Sequence, residues 1–207
     1  MHEFIKRLLL HQLTYEERYW YAIRTPLKYI DKAEYSGYIP RIFDLLQNTS
    51  DPYFKRDAYL VLEEIIPEVV PVNWITFLVK EVESGRNRRK ALGVLKKIKI
   101  PRSVDVEFLK RVVNEDKVNR TLALSTFKGV HDSETYLLDQ LEKHKNERYE
   151  VCEIIKSVCE ALTVVGSCSS LPALMMLKYD LQIKEASEYI DKSIKEIRNR
   201  CIKNNPN

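Results

Sequence analysis

One frame recurs along this chain at a spacing near thirty residues: a basic residue, a small or apolar residue three later, an apolar residue four further on, and another three beyond. Lys55, Ala58, Leu62 and Ile65 fill it, followed by Arg88, Ala91, Leu95 and Ile98, and by Arg120, Ala123, Phe127 and Val130. A fourth copy, Arg148, Val151, Ile155 and Val158, has valine in the small slot. From Ala58 to Val151 that slot advances by 33, 32 and 28 residues. A weaker copy, 35 residues on, runs through Ile183, Ala186, Ile190, Ile194 and Ile197, with isoleucine in the basic slot. The 3-4-3 spacing places the last three members of each set on one face of an α-helix. A fixed period of this length marks stacked repeats rather than one continuous globule.

A second amphipathic segment precedes each of these helices: Tyr38–Gln47, Val72–Glu83, Val104–Asn114, Glu134–Lys143 and Leu171–Tyr179. Each repeat therefore reads as a helical hairpin whose apolar stripe is buried only by stacking on its neighbours. Pro40, Pro71, Pro101 and Pro172 precede or open first helices, while Asp51-Pro52, Gly85 and Asp116 fall in the turns. Gly129 and Gly166 are placed as helix stops. No strand pattern of an α/β fold is evident. The expected fold is all-α, an α-solenoid of stacked antiparallel helical hairpins.

Three stretches carry a family resemblance: IPRIFDLLQNTSDPYFKRDAYLVLEEI at 39–65, SGRNRRKALGVLKKI at 84–98 and ALTVVGSCSSLPALMML at 161–177. The pattern resembles the HEAT-repeat family, in particular the short variant of PBS-lyase-like proteins. The resemblance covers about residues 38–200 as some five repeats. It implies an armadillo-like superhelix whose second helices line a concave binding face. It also implies that the recurring basic residue pairs with an acid in the turn between helices, a role for which Asp51 and Asp116 are placed. Repeat two departs from this with Ser84-Gly85 where the acid belongs. Residues 1–37 fit the frame less well and read as an amino-terminal helical cap continuous with the repeats, opened by the capping-box sequence Thr14-Tyr15-Glu16-Glu17. Residues 201–207 read as a flexible tail.

Charge narrows the search for a partner surface. The chain has 34 basic and 30 acidic residues, but Arg86–Arg102 holds eight of the former and none of the latter, so the remainder has 26 against 30, or −4. A local excess of this kind steers an anionic partner even when the overall charge does not. On a helical wheel Ala91, Val94, Leu95 and Ile98 form the buried stripe, and Arg86, Arg89, Lys90, Lys96 and Lys97 project from the other side. A solvated charged face is the plain explanation, although ordinary exposed helices mix signs and gain from opposite-charge neighbours. Lys117, Arg120 and Lys128 are placed to extend the run, whereas the recurring basic slot itself reads as structural.

The first 38 residues hold six of the twelve tyrosines and Trp20. Tyr15, Tyr19 and Trp20 are either an aromatic partner surface or the cover over the end of the stack. Cys152, Cys159, Cys168 and Cys201 lack a CxxC pair, and His2, His11, His131 and His144 supply no HExxH element. No metal or cofactor is expected, and the thiols read as reduced. The amino terminus MHEFIKRLLLHQL lacks the core and cleavage site of a secretory signal, and no apolar run approaches a bilayer span. A cytoplasmic address without membrane contact is the expectation.

Gly166-Ser167-Cys168-Ser169-Ser170 lacks the GxSxG form, and Gly85 with Gly93 does not make a phosphate loop. No catalytic constellation remains. The reading is a non-enzymatic scaffold or adaptor that takes a protein partner in its concave face, with the basic patch against an acidic segment. The alternative is a nucleic-acid-binding protein resembling the HEAT-like DNA-alkylation-repair glycosylases. For that chemistry Trp74, Asp105 and Asp116 are the candidates, and the negative remainder of the chain argues against wrapping a duplex.

Overall fold

The computed structural model describes residues 36–146, 150–180 and 184–204, and these are helical with no strand among them. Ten α-helices follow a short 3-10 turn at Ser36–Tyr38. They are α1 (Ile39–Asn48), α2 (Pro52–Ile65), α3 (Val72–Ser84), α4 (Arg88–Leu95), α5 (Glu107–Glu115), α6 (Arg120–Thr126), α7 (Glu134–His144), α8 (Val151–Val165), α9 (Ser170–Asp180) and α10 (Lys184–Asn204). A 3-10 turn, Phe127–Gly129, continues α6. Two compact units divide between Ile98 and Lys99.

Local chemistry sets the boundaries. Asp51 accepts the Tyr53 amide at 2.9 Å and Pro52 takes the first helical position, so α2 starts there. Gly85, at φ 79°, ends α3 in the left-handed conformation that glycine adopts without strain. Gly166 also stops a helix, but its backbone is extended, at φ −67°. Space explains it: a Cβ there would stand 2.6 Å from the Leu162 carbonyl oxygen and 3.0 Å from Ile197 Cδ1.

The first unit is built from hairpins α1/α2 and α3/α4, with α2 packed on α4. Phe43 of α1 stacks on Trp74 of α3 at 4.5 Å and meets Phe77 edge-on at 6.2 Å. The second unit holds hairpins α5/α6, α7/α8 and α9/α10; α8 lies between α6 and α10, and α7 touches α9. All the described members of the recurring apolar stripe are buried, from Ala58, Leu62 and Ile65 to Ala186, Ile190, Ile194 and Ile197.

Two expectations change. The tail does not begin at residue 201, because α10 runs to Asn204 and Cys201 is bonded to Cys168 across 33 residues. That disulfide also corrects the expectation of four reduced thiols, which holds for Cys152 and Cys159 alone. The aromatic residues Tyr15, Tyr19 and Trp20 lie outside the described residues, as does Arg148. Among the described residues no helix is long and apolar enough to cross a membrane.

Candidate functional site

The basic run does not occupy one helical face. α4 is only eight residues long, and Lys96 and Lys97 lie past its end in a tight turn whose amides bond to Leu92 and Val94. The turn brings Ile98 into the core, and the half-buried Lys96 and Lys97 leave the helix axis with it. Arg86 and Arg89 are exposed, and Lys90 is half-buried. The surface is thus a band around the start and the end of α4 rather than a stripe along it.

Helix α2 supplies its other wall. Arg56 lies close enough to Lys90 that burial and then the neighbouring guanidinium hold the lysine below its ordinary pKa, with Asp57 opposing them. Asp57 is 2% exposed and takes the Arg56 Nε hydrogen bond at 2.8 Å. The Arg56 guanidinium also stands over the Tyr53 ring, 5.9 Å from its centre. One buried carboxylate thus faces two cations, Arg56 on α2 and Lys90 on α4. Glu63, two turns along α2, rests against Gly93, where a Cβ would lie 3.0 Å from its carboxylate.

The recurring basic slot has a structural job. Arg88 donates from Nε to the Val82 carbonyl at 3.0 Å, and Arg120 does the same to Val113 at 2.9 Å. In these two hairpins the second helix thereby reaches back to cap a carbonyl in the last turn of the first. Arg120 is 5% exposed and also meets Glu150 at 3.4 Å, so it does not extend the basic surface. The carboxylates expected to pair with this slot have local duties as well: Asp51 caps α2, and Asp116 receives the Asn119 side chain at 2.8 Å.

The residues put forward for base-excision chemistry are engaged likewise. Trp74 is half-buried in its stack on Phe43, Asp105 caps the start of α5 by accepting the Glu107 amide at 3.0 Å, and Asp116 holds Asn119.

The loop at Gly166–Ser170 is an inter-helix turn held by Glu134. One oxygen of this carboxylate accepts from the Ser167 amide and from the hydroxyls of Ser167, Ser169 and Ser170. Burial raises its pKa, but these bonds outweigh that and leave it below the usual carboxylate value. Nearby, Arg200 donates to the carbonyls of Thr163, Leu162 and Gly166. Burial pushes the Cys159 thiol up to about 12, so it is a packing group rather than a nucleophile.

Sequence reasoning missed two features. Arg56 was hidden beside the recurring Lys55, and only its proximity to Lys90 reveals it. An apolar groove of about 240 Å³ between α7 and α9 is lined by Leu138, Leu141, Ala173, Met176 and Leu177, with Glu142, Lys145 and Asp180 alongside. Its signal was the composition of α9, which is apolar around most of its circumference and exposes Met175, Met176 and Tyr179. Comparison with known proteins finds no matching family model, no matching curated protein and no matching solved structure.

Proposed function

We propose that this chain is a HEAT-like binding scaffold whose hairpins stack as short solenoid segments within each unit, and that it holds an acidic segment of a protein partner on the basic surface of α2 and α4. Polar ties across hairpins support the stacking: Ser193 to Cys159, Lys143 to Asn114, Ser167 to Glu134 and Arg102 to Asp132 span 34, 29, 33 and 30 residues. These separations match the period of the sequence frame, as repeats stacked in register require.

The observation that carries the binding reading is the pairing of Arg56 with Lys90, in which the buried Asp57 faces a cation from each helix. Excess positive charge at a partly desolvated surface attracts an acidic partner and aligns it during encounter. The test is the triple variant Arg89→Glu, Lys90→Glu, Lys97→Glu against labelled acidic peptide and duplex DNA. Loss of peptide binding with unchanged helicity supports the reading, and undiminished binding rejects it. Tight DNA binding that falls steeply with salt would move the assignment to nucleic acid.

A further inference from the structure

We infer that Arg56 is the anchor of this surface, a guanidinium fixed by Asp57 and Tyr53 that grips one carboxylate of an acidic peptide through its two terminal nitrogens, with Lys90 beside it. The inference rests on the basic surface of α2 and α4 being a docking face.

Arg56, Asp57 and Tyr53 share the amino-terminal half of α2, at spacings that place Arg56 one turn beyond Tyr53. Arg56 gives its Nε–H to the carboxylate of Asp57, at 2.8 Å. Among the described residues the two terminal nitrogens donate to no such partner, and the side chain is 34% exposed. A guanidinium held at Nε and laid over a ring presents its outer edge as a fixed fork, the geometry that matches a carboxylate bidentately. The usual entropic cost of ordering an arginine is met in the free protein, by a carboxylate that is 2% exposed and cannot swing away.

Lys90 contributes charge at the same place. It is half-buried on α4, against α2, and supplies a second cation without the fork. Glu63 lies farther along the same helix pair, against Gly93, two turns from Arg56.

Two substitutions separate an oriented fork from bulk positive charge. Arg56→Lys keeps the charge and removes the fork. Asp57→Asn makes the surface more positive while loosening the guanidinium, so electrostatics alone predicts tighter binding and the anchor predicts weaker. The probe is fluorescein-labelled octaglutamate, titrated by anisotropy at low and physiological salt, with Lys80→Ala on the exposed side of α3 as the control. Circular dichroism and thermal melting check that each variant is folded.

The expected result is at least a fivefold loss for Arg56→Lys, a loss for Asp57→Asn, and less than a twofold change for Lys80→Ala. If Arg56→Lys binds like wild type while the triple reversal at Arg89, Lys90 and Lys97 abolishes binding, the docking face stands and the anchor is overturned. If wild type does not bind the peptide even at low salt, both are overturned.

Discussion

Arg120 reaches back seven residues to give its Nε–H to the Val113 carbonyl at 2.9 Å, closing the α5/α6 hairpin from inside. Truncating this buried side chain strands a carbonyl that water does not reach. Arg120→Ala should cost the second unit about 2–3 kcal/mol, and Arg120→Lys should recover little, because an ammonium has no Nε–H to aim along the same path. Arg88→Ala, at a half-buried position, should cost about 1 kcal/mol. Urea unfolding of the three variants measures the ranking, and equal costs at the two sites would contradict it.

The Cys168–Cys201 bond closes a loop of 33 residues around the α9/α10 hairpin. On the loop-entropy argument its reduction should destabilise that unit by about 3–4 kcal/mol. Melting with and without dithiothreitol tests this, with Cys168→Ser/Cys201→Ser as a variant that should be insensitive to the reductant. Mass mapping of the untreated protein should recover the two cysteines in one cross-linked peptide pair.

Glu134 gives the fold an acid-labile tie. Its folded pKa lies below the ordinary 4.5 because hydrogen bonds from Ser170, Ser167 and Ser169 overcome the effect of burial. A depressed carboxylate stabilises fully above its unfolded pKa, and the contribution disappears as pH falls through the folded value. Glu134→Gln should therefore lose stability at neutral pH relative to wild type, and the difference should shrink as pH falls below about 4.5. Denaturation midpoints from pH 7 to pH 3 measure it, and a gap that widens in acid would refute the sign.

Two glycines should respond oppositely to alanine. At Gly166 the new methyl meets the Leu162 carbonyl oxygen at 2.6 Å, and backbone does not yield, so a loss of about 1–3 kcal/mol is expected. At Gly93 the nearest atoms belong to the Glu63 carboxylate, at 3.0 Å, which can swing aside. There the gain in helix propensity, up to about 1 kcal/mol, should offset the contact and leave Gly93→Ala near neutral or slightly stabilising. Thermal melts of both variants decide it.

Much of the helical plan was legible because burial imposes periodicity. Ala91, Leu95 and Ile98 could be read as a buried stripe from spacing alone, and so could the first helices ending near Asn48 and Ser84. The end of α4 was not, since the turn at Lys96–Ile98 also keeps Ile98 inward and so preserves the apolar pattern while moving the lysines off the helix. Gly166 was placed correctly at a helix stop for a reason that only packing reveals, the closeness of Ile197. The Cys168–Cys201 pairing and the proximity of Arg56 to Lys90 involve residues 33 and 34 apart, which no local signal reports. The candidate site was therefore half visible: its charge could be read from the sequence, its α2 wall could not.

The arginine returns and the cross-hairpin ties constrain how the length of this chain can change. Arg88 and Arg120 must lie six or seven residues beyond the carbonyls they cap, and Ser193 must fall 34 beyond Cys159 to reach its carbonyl. Deleting one residue within a hairpin turns every later side chain by about 100° and breaks several ties together. Removing or adding a whole hairpin leaves the internal offsets of its neighbours unchanged. Viable length variants of this protein should thus differ in steps of about thirty residues, with single-residue changes confined to loops that none of these ties crosses.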